Sequence, residues 1–300
     1  MDDIADDVLD TVGRTPMVRL ARFAGGGCEL LAKLESRNPA GSVKDRAATA
    51  MVRAAEADGS LTPGATIIEA TSGNTGISLA MIAAVRCYRC VLVMPEDMSL
   101  SRRMLTRAYG AEIVLTPALD GMLGAVRRAR ELLAATPGAF TLRQFDNPAN
   151  AEAHERTTGA EVLAQTGGRV DAFVAGVGTG GTLMGVARAL KRAGSRARIV
   201  AVEPAQSAVL SGGAPGPHGL QGIGAGFVPP LYDPSLVDEV VTVTEAEAER
   251  AQSRLSREEG LLTGVSAGAN AHAALAVGRR LGAGARVVTV LCDTGERYLY

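Results

Sequence analysis

The chain reads as an α/β protein built on parallel sheets, and two features of the sequence point there. Nine short apolar runs alternate with longer stretches of helical periodicity, which is the pattern of strand-helix-strand units. Two of those runs end in glycine-rich turns that lead directly into a helical stretch, Thr71-Ser-Gly-Asn-Thr-Gly76 and Gly176-Val-Gly-Thr-Gly-Gly181. Backbone N–H groups at such a junction form an anion site. Three hundred residues, 47% of them hydrophobic, suffice for one large domain or two.

Taken in order, Thr11 to Leu20 reads as a turn and a short extended segment. The expected strands are Glu29 to Leu34, Ala65 to Ala70, Cys90 to Met94, Glu112 to Thr116, Phe140 to Arg143, Ala172 to Ala175, Ile199 to Glu203, Glu239 to Val243 and Arg286 to Cys292. Helical patterns fill most of the gaps, with stop signals at Gly59, Gly110 and Gly194. Pro204 to Pro230 is long and helix-poor, and loops of that length in compact domains are usually functional. No repeat at solenoid spacing is present.

Composition excludes several classes. Lys plus Arg number 31 against 32 Asp plus Glu, a formal charge of -1, which is no electrostatic footprint for nucleic acid. No apolar run approaches the roughly 18 residues of a membrane span. The start, Met1-Asp-Asp-Ile-Ala-Asp-Asp7, is acidic where a signal peptide is basic and then apolar, so a cytoplasmic location is expected. Four scattered cysteines make no disulfide framework. Cys87 and Cys90 have C-x-x-C spacing, but no further ligands stand at zinc-finger spacing and Cys90 opens an apolar run instead of a helix; no metal is expected.

The stretch that organises the chemistry is Asn38-Pro-Ala-Gly-Ser-Val-Lys-Asp-Arg46. Pro39 and Gly41 break the chain, Ser42 is a good N-cap, and Lys44 falls in the first helical turn. A cation there opposes the helix dipole. It is either a solvated surface lysine or an amine that attacks a carbonyl carbon to form a Schiff base.

This nonapeptide resembles the cofactor-lysine motif of the cysteine synthase (O-acetylserine sulfhydrylase) family, pyridoxal-phosphate enzymes of fold type II. Five further motifs follow in family order: Thr71 to Gly76, Gln144 to Asn150, Gly176 to Thr182, Gly264 to Asn270 and Asp293 to Leu299; Thr11 to Leu20 resembles the family's N-terminal segment. The resemblance implies a tryptophan synthase β-like fold of two interwoven three-layer αβα domains. The larger would comprise residues 1–44 plus 149–300, the smaller, mobile one residues 45–148.

It also implies pyridoxal 5'-phosphate, with Lys44 as Schiff-base residue and general base. Gly178, Thr179, Gly180, Gly181 and Thr182 would form the phosphate cup, Ser266 would face the pyridine nitrogen, and Asn74 would bond the phenolic oxygen. Thr71, Ser72, Gly73, Thr75 and Gln144 would hold the substrate carboxylate, and Gly222, Ile223 and Gly224 would belong to the loop over the site. A neutral Ser266 hydroxyl cannot hold the pyridine nitrogen protonated as a carboxylate would, which favours elimination of a good leaving group over transamination. A homodimer and docking of the C-terminal peptide of serine acetyltransferase are further implications.

A rival reading stays open. Gly176, Gly178 and Gly181 satisfy G-x-G-x-x-G, and Glu203 closes the next strand about 20 residues on, as a dinucleotide fingerprint requires. Against it, the motif starts past the middle of the chain, and Thr179 and Thr182 suit a phosphate monoester better than a pyrophosphate on bare glycine. A silent, partner-binding homologue is a further alternative, opposed by intact Lys44, Asn74, Gln144 and Ser266.

Between Arg198 and Arg250 the chain has no Lys or Arg, the Gln221 to Phe227 loop included. A phosphoserine leaving group normally calls for a cation, so O-acetylserine and sulfide are the expected substrates; the alternatives within the family are β-substitutions on O-phosphoserine or serine, namely thiocarboxylate-dependent cysteine synthesis, cystathionine formation and diaminopropionate-type synthesis. Three departures from the family pattern stand out. Cys87 replaces a usual glycine, Leu123 stands where many relatives carry lysine, and the sequence stops at Tyr300, which would trim dimer contacts.

Overall fold

The computed structural model describes residues 4–71 and 73–299. A 3-10 turn, Val8–Thr11, precedes β1 (Met17–Arg19), the short α1 (Ala21–Ala24), β2 (Glu29–Leu34) and α2 (Lys44–Ala57). Next come β3 (Thr66–Ala70), α3 (Asn74–Arg86), β4 (Arg89–Pro95), α4 (Leu100–Ala108), β5 (Glu112–Thr116) and α5 (Gly121–Ala135). Helix α6 (Pro148–His154) runs through a π turn, Glu155–Gly159, into α7 (Ala160–Thr166). The chain closes with β6 (Ala172–Gly176), α8 (Gly181–Arg192), β7 (Arg198–Pro204), β8 (Glu239–Val243), α9 (Glu245–Glu259), α10 (Val265–Leu281) and β9 (Arg286–Leu291).

These strands form two sheets. The larger has the order β1-β2-β9-β6-β7-β8 and the smaller β3-β4-β5. Only the β1–β2 pair is antiparallel. The sheets interleave in sequence, because β1 and β2 precede the smaller sheet while β6 to β9 follow it.

Each sheet is buried on both faces, as parallel sheets require. Along β6, Ala172 and Val174 pack with Phe23, Ala248 and Ala271 from α1, α9 and α10. Phe173 and Ala175, pointing the other way, pack with Val162 and Leu183 from α7 and α8. In the smaller sheet Ile67 and Leu92 meet Ala48 and Leu79 from α2 and α3, while Ile68 and Val93 meet Ala125 from α5. The result is a pair of three-layer αβα arrangements.

Eight of the nine expected strands are present, and the stop glycines Gly59, Gly110 and Gly194 all take positive φ. The exception is Phe140 to Arg143, which contributes a single parallel bridge between Phe140 and Ile67. The cause is local. Glu69 Oε2 accepts from both Thr141 Oγ1 (2.7 Å) and Leu142 N (2.9 Å), so a side chain takes the backbone donor that would continue the ladder, and Arg143 then turns away at φ 54°. No helix among the described residues is long and apolar enough to cross a membrane.

The carboxyl ends of β2, β9, β6 and β3 lead into Lys44, Asp293, the 176–181 turn and Asn74 respectively. Ligands of open α/β sheets bind in the crevice outside these ends.

Candidate active site

Lys44 is the first residue of α2 and is half-buried. The N-cap is Val43, one residue later than expected, although Ser42 Oγ still accepts from Lys44 N at 3.2 Å. The shift follows from how the loop is stitched to the end of β9: Ser42 forms a bridge with Asp293, and Val43 N donates to Cys292 O at 2.8 Å. Gly41 has φ 80°, and a Cβ there would lie 2.6 Å from Arg297 Nη2, so only glycine fits.

A lysine against the helix dipole costs about 0.3–1 kcal/mol. The rest of this first turn is anchored by a neighbouring ion network through Arg46. Glu35 accepts from Arg46 Nε (2.7 Å) and Nη2 (2.9 Å), Thr15 Oγ1 (2.8 Å) and Asn38 Nδ2 (2.7 Å). Glu161 of α7 accepts from Arg46 Nη1 and Lys33 Nζ, both at 2.6 Å. Burial would raise the Glu161 carboxyl, but Arg46 and Lys33 hold it down at about 2. Asp45 meets the opposite balance: burial pushes it up to about 6 against bonds from Ser78 and Ala40.

Thr71, Gly73, Asn74 and Thr75 lie together at the β3–α3 junction; Ser72 lies outside the described residues. Thr75 Oγ1 donates to Gln144 Oε1 at 2.8 Å, which leaves the N–H₂ end of Gln144 to donate elsewhere. Asn74 Nδ2 donates to Asp293 Oδ2 at 2.7 Å, and Asn74 Oδ1 accepts from Arg297 Nη1 at 2.5 Å.

The 176–182 turn is shaped by close approaches. A Cβ on Gly178 would overlap Gly222 O, one on Gly181 would overlap the Asn150 amide, and one on Gly176 would overlap Ile223. Gly180 takes φ 86° as the N-cap of α8. Thr179 Oγ1 accepts from Asn150 Nδ2 (3.0 Å) and Gly181 N (3.3 Å), and Thr182 Oγ1 meets His154 Nε2 at 3.2 Å. Burial, reinforced by Arg46 and Lys44, drives His154 well below its ordinary range, so it is neutral. Its other nitrogen meets Thr158 Oγ1 at 2.8 Å within the π turn.

Gly222, Ile223 and Gly224 lie directly on this turn. Gly224 N donates to Val177 O at 2.9 Å, His218 Nε2 donates to Gly224 O at 2.8 Å, and a Cβ on Gly222 would sit 3.7 Å from Ser266 Oγ. Ser266 is buried in the first turn of α10. Asn270, one turn on, accepts from Gly176 N (2.7 Å) and donates to Val290 O (2.8 Å). Cys292 lies against this group, its thiol pushed up to about 12 by burial and then by Asp293.

Three contributors are not among the site residues expected from the sequence. Asn150 and His154 steady the threonine hydroxyls of the turn; their only sequence signal was a polar residue every few positions in an alanine-rich helix. Arg102 of α4 donates to Gln221 Oε1 at 2.6 Å and lies 5.2 Å over the Tyr298 ring. The loop that lacks cations of its own therefore receives one from another segment.

The geometry tests the two cofactor readings. A terminal phosphate fits the 178–182 turn, where a helix N-terminus and two threonine hydroxyls come together. A dinucleotide does not fit. The space above Gly178 is filled by Gly222 O, and Glu203 is buried and turned to its own loop, accepting from Leu210 N (2.7 Å), Ser211 N (3.0 Å) and Ser211 Oγ (2.6 Å), so no ribose reaches it.

Fold and site together define a pyridoxal-phosphate-dependent enzyme, and the chain belongs to that family: residues 8–293 match the family described as "Pyridoxal-phosphate dependent enzyme". Among curated proteins it is similar to a Staphylococcus aureus cysteine synthase, 50% identical over 296 residues, which are 98% of this chain and 95% of the relative. Among solved structures, cysteine synthase from Entamoeba histolytica superposes with TM-score 0.96 at 42% identity, covering 99% of this chain and 90% of the other. An O-ureido-L-serine synthase superposes with TM-score 0.95 at 48% identity, covering 99% and 94%.

Proposed function

We propose that this chain makes L-cysteine and acetate from O-acetyl-L-serine and sulfide. The observation that carries the reading is near-full-length 50% identity to a cysteine synthase, with the expected residues gathered at the strand ends of both sheets. Pyridoxal phosphate, when bound, supplies an electron sink for negative charge at the substrate Cα. In this reading Lys44 holds the cofactor and then, as a free amine, takes the Cα proton and later returns it. Gly178 to Thr182 hold the phosphate, Ser266 meets the ring nitrogen and Asn74 donates toward the phenolic oxygen. Thr71, Gly73, Thr75 and the free N–H₂ end of Gln144 bind the substrate carboxylate, while Gly222 to Gly224 exclude water.

Residues 45–148 are proposed as the part that closes on substrate against 1–44 plus 149–300. We infer a homodimer as well: Leu105 and Leu262 line one groove, and Leu100 and Met104 are exposed on α4. Light scattering of the purified protein decides it, a monomer being the contrary result. A cytoplasmic location and docking of a serine acetyltransferase C-terminal peptide complete the proposal, supported by the cysteine synthase relatives alone.

A second reading, O-phospho-L-serine as donor, draws on the placement of Arg102 at the loop. The test is to supply sulfide with O-acetyl-, O-phospho- or O-ureido-L-serine and assay cysteine together with the released acetate, phosphate or hydroxyurea-type product. Fast turnover with acetate release supports the main reading; preference for phosphate release replaces it. Lys44→Ala should cost at least about a thousandfold in kcat, and substantial residual turnover removes Lys44 from its role.

A further inference from the structure

Asn74 carries an amide whose two ends have nearly the same shape and opposite hydrogen-bonding character. In this structure both ends are assigned by charged partners. Arg297 can only donate, and its Nη1 lies 2.5 Å from Asn74 Oδ1. Asp293 presents an acceptor oxygen on the other side, its Oδ2 lying 2.7 Å from Asn74 Nδ2. Turning the amide over would set donor against donor and acceptor against acceptor. One N–H of Asn74 is then left for whatever binds in the crevice.

The two partners are themselves held. Asp293 is fully buried and Arg297 nearly so. The same Asp293 Oδ2 accepts from Tyr298 Oη at 2.5 Å, and Arg297 Nη2 donates to Ala40 O, on the loop that leads to Lys44. One guanidinium therefore ties the Asn74 loop to the Lys44 loop, and the room it needs is the room Gly41 leaves by having no side chain.

We propose that Arg297 and Asp293 are positioning residues that lock the Asn74 amide with one N–H turned toward the bound cofactor. This rests on the reading above that Asn74 touches the cofactor. Removing Arg297 frees the amide to rotate, so the donor is misdirected for part of the time while the substrate-carboxylate residues are untouched.

The test is a double-substitution cycle on the full-length holoenzyme, reading the position of the cofactor's visible absorption band, cofactor retention on dialysis, and kcat and KM separately. Arg297→Met should shift the band and lower kcat about 10- to 100-fold, with KM for O-acetyl-L-serine changed less than about threefold. In an Asn74→Ala background the same Arg297→Met change should have little further effect on band or kcat, because its route is gone. Asp293→Asn, which keeps an acceptor oxygen, should retain most of what Asp293→Leu loses.

Full multiplication of the Asn74→Ala and Arg297→Met effects overturns the proposal, since Arg297 then acts by another route. So does an unshifted band in Arg297→Met when Asn74→Ala shifts it. If Asn74→Ala leaves band and kcat unchanged, the reading of Asn74 fails and the proposal with it. Arg297→Lys, which keeps the charge and one donor, guards against a variant that does not fold: it should show a smaller band shift than Arg297→Met, and a wild-type band and kcat there overturn the need for the guanidinium.

Discussion

The Glu35–Arg46–Glu161 network and the Asn74–Asp293–Arg297 network lie on elements adjoining Lys44, each contain an arginine, an asparagine and a buried carboxyl group, and are finished differently. In the first, each carboxylate oxygen of Glu35 and Glu161 has at least one donor. In the second, Asp293 Oδ1 is buried with no hydrogen-bond partner among the described residues, and Asn74 keeps an N–H to spare. A saturated network can only anchor; one with unused capacity marks where a ligand completes it.

That contrast is broken most severely by Arg46→Met, which strands Glu35 as an unpaired buried charge. A loss of about 3–5 kcal/mol in urea unfolding is expected, without a shift of the cofactor band in molecules that remain folded. A band shift as large as that of Arg297→Met erases the distinction between the networks.

Asp45 lies between the two, accepting from Ala40 N at 2.7 Å and from Ser78 Oγ, with the Arg297 charge nearby. Its folded pKa, about 6, is above an unfolded value of about 3.9. Between those values the unfolded chain holds fewer protons than the folded one, so stability falls as pH rises through that window. The full effect is on the order of 3 kcal/mol. Asp45→Asn should flatten this part of the stability-against-pH curve, and an unchanged slope assigns it to other groups.

Tyr298→Phe sharpens the comparison from the other network. Burial and Asp293 raise the Tyr298 phenol above its usual range, so it stays protonated and donates. Losing that bond should cost only about 1–1.5 kcal/mol, yet it should shift the cofactor band. The smallest effect serves as a control. Cys87, which stands where a glycine is usual, sits at φ 58°, ψ 34°, left-handed, and it touches neither network. Cys87→Gly should add about 0.5–1 kcal/mol and leave kcat alone; a change in kcat means stability and activity are coupled here.

Much of the site was legible because its residues sit at strand-to-helix junctions, where short-range chemistry dictates residue type. The Thr71 to Gly76 and Gly176 to Thr182 turns need glycine and small polar residues wherever they occur. Lys44 stood out because it opposes the local dipole. Arg102, Asn150 and His154 gave no such signal: an arginine in a surface-like helix or a histidine among alanines is ordinary until its neighbours are known. Phe140 to Arg143 failed as a strand for the same reason, since its apolar pattern was right and a buried Glu69 from another strand took its hydrogen bonds.

The order of strands and helices, the parallel character of the sheets and the positions of the anion-binding turns follow from periodicity and turn chemistry, both local properties of the chain. The rejection of a dinucleotide, the cation that Arg102 brings to a loop without one, and the direction of the Asn74 amide were decided only by tertiary structure. Each depends on which distant group arrives to fill a hydrogen bond or a space, Arg102 at Gln221, Asp293 and Arg297 at Asn74 and the Gly222 carbonyl at Gly178, or, for Glu203, on how its own loop folds back. Sequence pattern carries no information about such arrivals, because burial and pairing are properties of the packed whole.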